Sequence, residues 1–135
     1  MWQTESAGKL STRTDRMRTP PTIFGRPSVN AKLGAVLVEI RRRLLDLYGD
    51  RLVTLMLYGS QARGEAEPGS DIDLMVVLKG PVQPCLEVER SGGIFTEVSL
   101  HFDELVSCVF VNEQDFATRN TPLLLNVRRE GVLVN

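Results

Sequence analysis

With only two cysteines and a single histidine in 135 residues, the chain has too few soft ligands for a zinc site: Cys85 and Cys108 stand too far apart for a CxxC motif, and His101 is alone. The same scarcity argues against a disulfide scaffold, so both cysteines are expected as reduced thiols. Long apolar runs are missing as well. Nowhere do about 20 apolar residues follow one another, as a membrane-spanning helix requires, and the polar, arginine-rich first residues carry no signal-peptide core. The expected location is the cytoplasm, with no membrane partner. Nor is there an excess of one charge. Sixteen Lys and Arg face seventeen Asp and Glu, a formal net charge of -1, which gives neither nucleic acid nor a membrane surface an electrostatic claim as partner. Finally, no GxxxxGK[ST] and no GxGxxG occurs, which sets aside the Walker P-loop and the dinucleotide fold.

What is present is one domain's length of chain, with the apolar (42%) and charged (24%) fractions of an ordinary globular core. Residues 1–29 are rich in Ser, Thr, Arg and Pro, carry the helix-breaking pair Pro20-Pro21 and show no period, so they are expected to form a flexible tail in which Ile23 and Phe24 offer a docking point. The folded body is expected over 30–135. It opens with a helix capped by Asn30, in which Leu33, Val36, Leu37, Ile40, Leu44 and Leu47 mark a buried face, Arg41, Arg42 and Arg43 a solvated one, and Gly49 the end. "RLVTLMLY" (51–58) and "DIDLMVVL" (71–78) read as inner strands, and "LEVERSGGIFTEVSLHF" as a hairpin turning at Ser91-Gly92-Gly93. A short helix from Asp103, another from Thr121-Pro122 to Gly131, and a last strand "VLV" complete an α/β or α+β domain: a small mixed sheet with helices packed on it.

The chemistry concentrates in "GSQARGEAEPGSDIDL" (59–74). Gly59 lets a ligand lie against the backbone, and Ser60 can cap a short helix, Gln61 to Arg63, whose free N–H groups make a phosphate seat. Arg63 can either touch a phosphate or hold the loop and carboxylates in place. Asp71 and Asp73 are two apart on a strand, so both carboxylates leave one face, about 6.5–7 Å apart at Cα. Two such carboxylates repel unless a cation lies between them, and all-oxygen ligation suits magnesium shared with substrate phosphates.

This stretch resembles the signature of the nucleotidyltransferase superfamily related to DNA polymerase beta, in particular its minimal single-domain branch: a Gly-Ser pair, then ten residues, then Asp-x-Asp. Gly59, Ser60, Arg63, Gly64, Ser70, Asp71 and Asp73 match, and the likeness extends more weakly over about 33–135. It implies a polymerase-beta-palm-like core and transfer of a nucleoside monophosphate, AMP foremost, from a nucleoside triphosphate to an acceptor hydroxyl of a protein or small molecule, with pyrophosphate leaving. Gly59, Ser60, Arg63 and Ser70 would bind nucleotide. Two magnesium ions would be held by Asp71, Asp73 and a third carboxylate on a neighbouring strand. Within "GIFTEVSLHF" that third ligand is Glu97, or, if the family position falls at Ser99, it is lacking. The alternative is a weak or inactive antitoxin-like module acting through a helical HEPN-type protein. With no second domain to hold an acceptor, a partner protein or a second copy of the chain would supply that surface.

Overall fold

The computed structural model describes residues 27–67 and 69–134. The expected tail therefore lies almost wholly outside the described residues. They divide into two units, 27–42 and 43–134. The first unit is the opening part of helix α1 (Pro27–Tyr48), where Leu33, Val36, Leu37 and Ile40 are buried. The helix starts at Pro27, a residue whose fixed φ suits a first turn, so Asn30 lies inside it and not at its cap. Further along the same helix, Leu44 and Tyr48 are buried while Leu47 is 39% exposed. Four-residue steps carry the buried stripe from Ile40 to Leu44 to Tyr48, and Leu47 falls at its edge.

In the second unit a 3-10 turn (Gly49–Arg51) leads into β1 (Leu52–Tyr58), the four-residue helix α2 (Ser60–Arg63), β2 (Ile72–Leu78), α3 (Pro84–Phe102), β3 (Val106–Asn112), α4 (Glu113–Thr118), α5 (Pro122–Glu130) and β4 (Val132–Val134). The four strands form one mixed sheet in the order β3-β2-β1-β4; β1 runs antiparallel to β2 and β4, and β2 runs parallel to β3. Five consecutive buried residues, Leu74 to Leu78, make β2 the centre of the core, which is why its sequence is continuously apolar instead of alternating. On one face Met75 and Val77 pack with Leu124 and Val127 of α5, flanked by Met56, Tyr58, Val109, Val111 and Phe116. On the other, Tyr48 meets Phe110 with ring centroids 6.3 Å apart and donates a 2.8 Å hydrogen bond to the buried Glu87 of α3, whose carboxylate also lies 3.7 Å from Arg51 and 3.5 Å from Arg90. Burial, then the bond to Glu87, raises the Tyr48 pKa, so the phenol keeps its proton.

Two expectations change. The segment expected as a hairpin is helix α3: Glu87, Ser91, Phe95 and Val98 are buried at 3–4 residue steps, Pro84 starts it, and the Ser91 hydroxyl donates to the Glu87 carbonyl at 2.7 Å. The alternation around the glycine pair is compatible with both periods, and the buried polar pair Glu87 and Ser91 conceals the helical one. Asp103 does not begin a helix but ends this one, in the left-handed region at φ 55°, with its N–H bonded to the Ser99 carbonyl. Strand β3 follows, in place of the expected helix. The closing elements fall where expected: the Thr121 side chain caps α5 by accepting from Leu124 N at 3.2 Å, and β4 follows Gly131.

Gly93 lies in the middle of α3, exposed, with open space where a Cβ would stand. Gly93→Ala is therefore expected to stabilise the protein by about 0.5–1 kcal/mol, read as a higher urea midpoint at unchanged slope.

Candidate functional site

The C-terminal end of β1 and the N-terminal end of β2 are adjacent because the two strands are antiparallel, with Tyr58 paired to Asp73. This pairing brings the Gly-Ser turn onto the Asp-x-Asp strand. Gly59 has φ 77° and ψ -157°, a region only glycine visits readily, and an ideal Cβ on it would stand 2.6 Å from Asp73 Oδ2. The loop backbone thus rests directly against the carboxylate. Gly59, not Ser60, is the cap of α2; Ser60 is its first helical residue, and Gly64 at φ 73° closes it. Glu65 N bonds back to the Ser60 carbonyl at 2.9 Å, folding the loop over this single turn.

Asp71 is exposed just ahead of β2, and Asp73 is half-buried within it. Burial, and after it the Asp71 charge, raises the Asp73 pKa. The donor set, two aspartates beside the Gly-Ser turn, is of the all-oxygen kind that fits magnesium. Arg63 pairs with the loop and with α5: its Nε donates to Glu65 Oε1 at 2.8 Å and its Nη1 lies 3.6 Å from Glu130 Oε1. Ser70 also closes the loop, with its hydroxyl accepting from Glu67 N at 2.9 Å and its carbonyl accepting from Gln61 Nε2 at 3.4 Å.

Glu97 does not join this cluster. It sits on α3, in the helical layer on the Phe110 side of the sheet, whereas Asp73 shares the opposite side with Met75 and Val77; its carboxylate pairs with Arg43. Ser99 is on the same helix and its hydroxyl accepts from Val106 N at 3.3 Å. The other strand beside β2 is β3, and the residue next to Asp73 there is Ser107. Among the described residues no group of three or more His, Cys, Asp and Glu is placed to hold a metal. The expectation of a third carboxylate at Glu97 rests on the hairpin and fails with it. Accordingly, Glu97→Gln is expected to leave the metal affinity of the site unchanged and to cost only the exposed Arg43 pair, at most about 1 kcal/mol, as checked by magnesium titration and urea unfolding.

The remaining singled-out residues have structural surroundings. His101 is exposed and edge-on to Phe102. Arg128 donates to the Phe116 carbonyl at 2.6 Å and to Asn120 Oδ1 at 2.8 Å, tying α5 to the end of α4. Both cysteines are free thiols, and burial pushes the Cys108 pKa up to about 11, which leaves it unreactive at neutral pH. No described helix is long and apolar enough to cross a membrane.

The family model for the nucleotidyltransferase domain matches residues 37–116, which contain the turn, the loop and both aspartates. The chain belongs to the nucleotidyltransferase domain family. Two proteins of Methanocaldococcus jannaschii, each provisionally named a protein adenylyltransferase, are 28% identical to it: one over 99 residues, 70% of this chain and 66% of its own length, the other over 100 residues, 73% and 95%. The chain thus spans just under two thirds of the first of these relatives. Two solved structures share the fold. One is a toxin–antitoxin with AMP-PNP (TM-score 0.52, 21% identity, 71% of this chain and 70% of that one); the other is a provisionally named nucleotidyltransferase of Sulfolobus solfataricus (TM-score 0.50, 19% identity, 87% and 89%).

Proposed function

We propose that this nucleotidyltransferase-family domain moves AMP from ATP to a hydroxyl of an acceptor protein, with magnesium held at Asp71 and Asp73 and pyrophosphate leaving. The observation that carries the reading is the contact of the Gly59 backbone with the Asp73 carboxylate, which puts the phosphate-facing turn and the cation-seeking aspartates at one point. Bound there, magnesium would draw charge from the triphosphate and orient it for in-line attack. The chain's own residues do the positioning. Ser60 and the first N–H groups of α2 face the phosphates, Gly59 lets the turn lie against Asp73, and Arg63 and Ser70 keep the loop folded. Adenosine is set first because the Methanocaldococcus relatives are named adenylyltransferases and a structure of this fold carries AMP-PNP.

A second reading is favoured by one observation: both strand neighbours of Asp73, Tyr58 and Ser107, are hydroxyls, and neither is a carboxylate. In that reading the domain binds nucleotide weakly or not at all and acts through a partner protein, for which a helical HEPN-type chain is our proposal; a solved structure of this fold is a toxin–antitoxin. Calorimetric titration with ATP, GTP, CTP and UTP, with and without magnesium, followed by incubation of labelled ATP with the co-expressed partner, separates the two. Magnesium-dependent binding with label transferred supports the first; binding without transfer, or no binding to any of the four, defeats the first and supports the second.

A further inference from the structure

The sheet register limits how many cations the site can hold. Asp73 lies between Tyr58 of β1 and Ser107 of β3. Tyr58 brings a phenol to this position and not a carboxylate. Ser107 is exposed and shares a face with Asp73 because residues in register on neighbouring strands project to the same side, with the strands about 4.8 Å apart. It is therefore the position from which a further side chain would reach the same site. A serine hydroxyl there carries no negative charge.

One octahedral ion is satisfied by two carboxylates, phosphate oxygens and water. A second ion alongside would be repelled by the first and would need another anionic ligand to hold the pair together, as two-metal sites provide. None is present among the described residues. Resting on the function proposed above, we infer that the nucleotide-loaded chain holds a single divalent cation, at Asp71 and Asp73, and that Ser107 is the residue that sets this number. An aspartate at 107 would stand beside Asp73 on the same face and supply the missing anionic ligand.

The test counts manganese per bound AMP-PNP by electron paramagnetic resonance, with protein in excess so that all nucleotide is bound. The expected count is one for the parent and for Ser107→Ala, and two for Ser107→Asp. Two in the parent would overturn the inference while leaving the proposed function standing, and one in a folded Ser107→Asp would show that position 107 does not set the number. Should Ser107→Asp fail to fold, the parent and Ser107→Ala counts decide. AMP-PNP bound equally well without manganese would defeat both the inference and the function beneath it.

Discussion

Asp71→Asn combined with Asp73→Asn is expected to abolish magnesium-dependent ATP binding and to lower transfer by on the order of 1,000-fold or more, with no loss of folding stability. The second half of this expectation follows from the sign of the Asp73 shift. Its pKa is raised in the native protein by burial and by Asp71, so the native state holds its proton to higher pH than the unfolded chain does. Across that interval the unfolded state binds fewer protons, and stability falls as pH rises through it. Above the raised value the ionised pair is a standing cost to the fold, which asparagine at both positions removes. A thermal or urea midpoint at neutral pH equal to or above the parent's, together with lost binding, would show that these carboxylates are kept for a ligand and not for the structure. A variant that retained metal-dependent binding would mean that the site lies elsewhere. Because the two aspartates act on one cation, either single substitution should cost nearly as much as both.

The second large effect is expected at Gly59→Ala. A methyl group there would lie 2.6 Å from Asp73 Oδ2, at a φ of 77° that alanine adopts only under strain. Either the turn or the carboxylate must move. The backbone strain costs about 1–3 kcal/mol, and displacement of a reacting group by an ångström can cost about 100-fold in rate. Loss of that order in transfer, with a lower unfolding midpoint, is the expected result. A fully active Gly59→Ala would separate the turn from the aspartates and remove the observation on which the function rests. In combination with Asp73→Asn the rate effects should not add, since both act on the same carboxylate.

The candidate site was legible because its parts are local. Gly59, Ser60, Asp71 and Asp73 lie within fifteen residues, and the two strands flanking the loop read as strands from their continuously apolar sequences, so the turn and the aspartates could be placed at neighbouring strand ends. The α1 stripe was readable for the same reason, apart from the last turn, where Tyr48 takes the place expected of Leu47. The third carboxylate was a different kind of question. It asked which distant segment lies beside β2, and the nearest acidic residue in a plausible strand, Glu97, was a local answer to a non-local problem.

The sequence by itself therefore determined the turn, the two aspartates, the strands that carry them and the α/β class, because each depends on periodicity and spacing within a few residues. The tertiary structure decided that residues 84–102 form a helix, that β3 is the parallel neighbour of β2, and that Ser107 stands beside Asp73. Parallel pairing across a crossover is selected by how the buried faces of Phe95, Val98 and the sheet fit together, and that energy belongs to contacts between segments far apart in the chain.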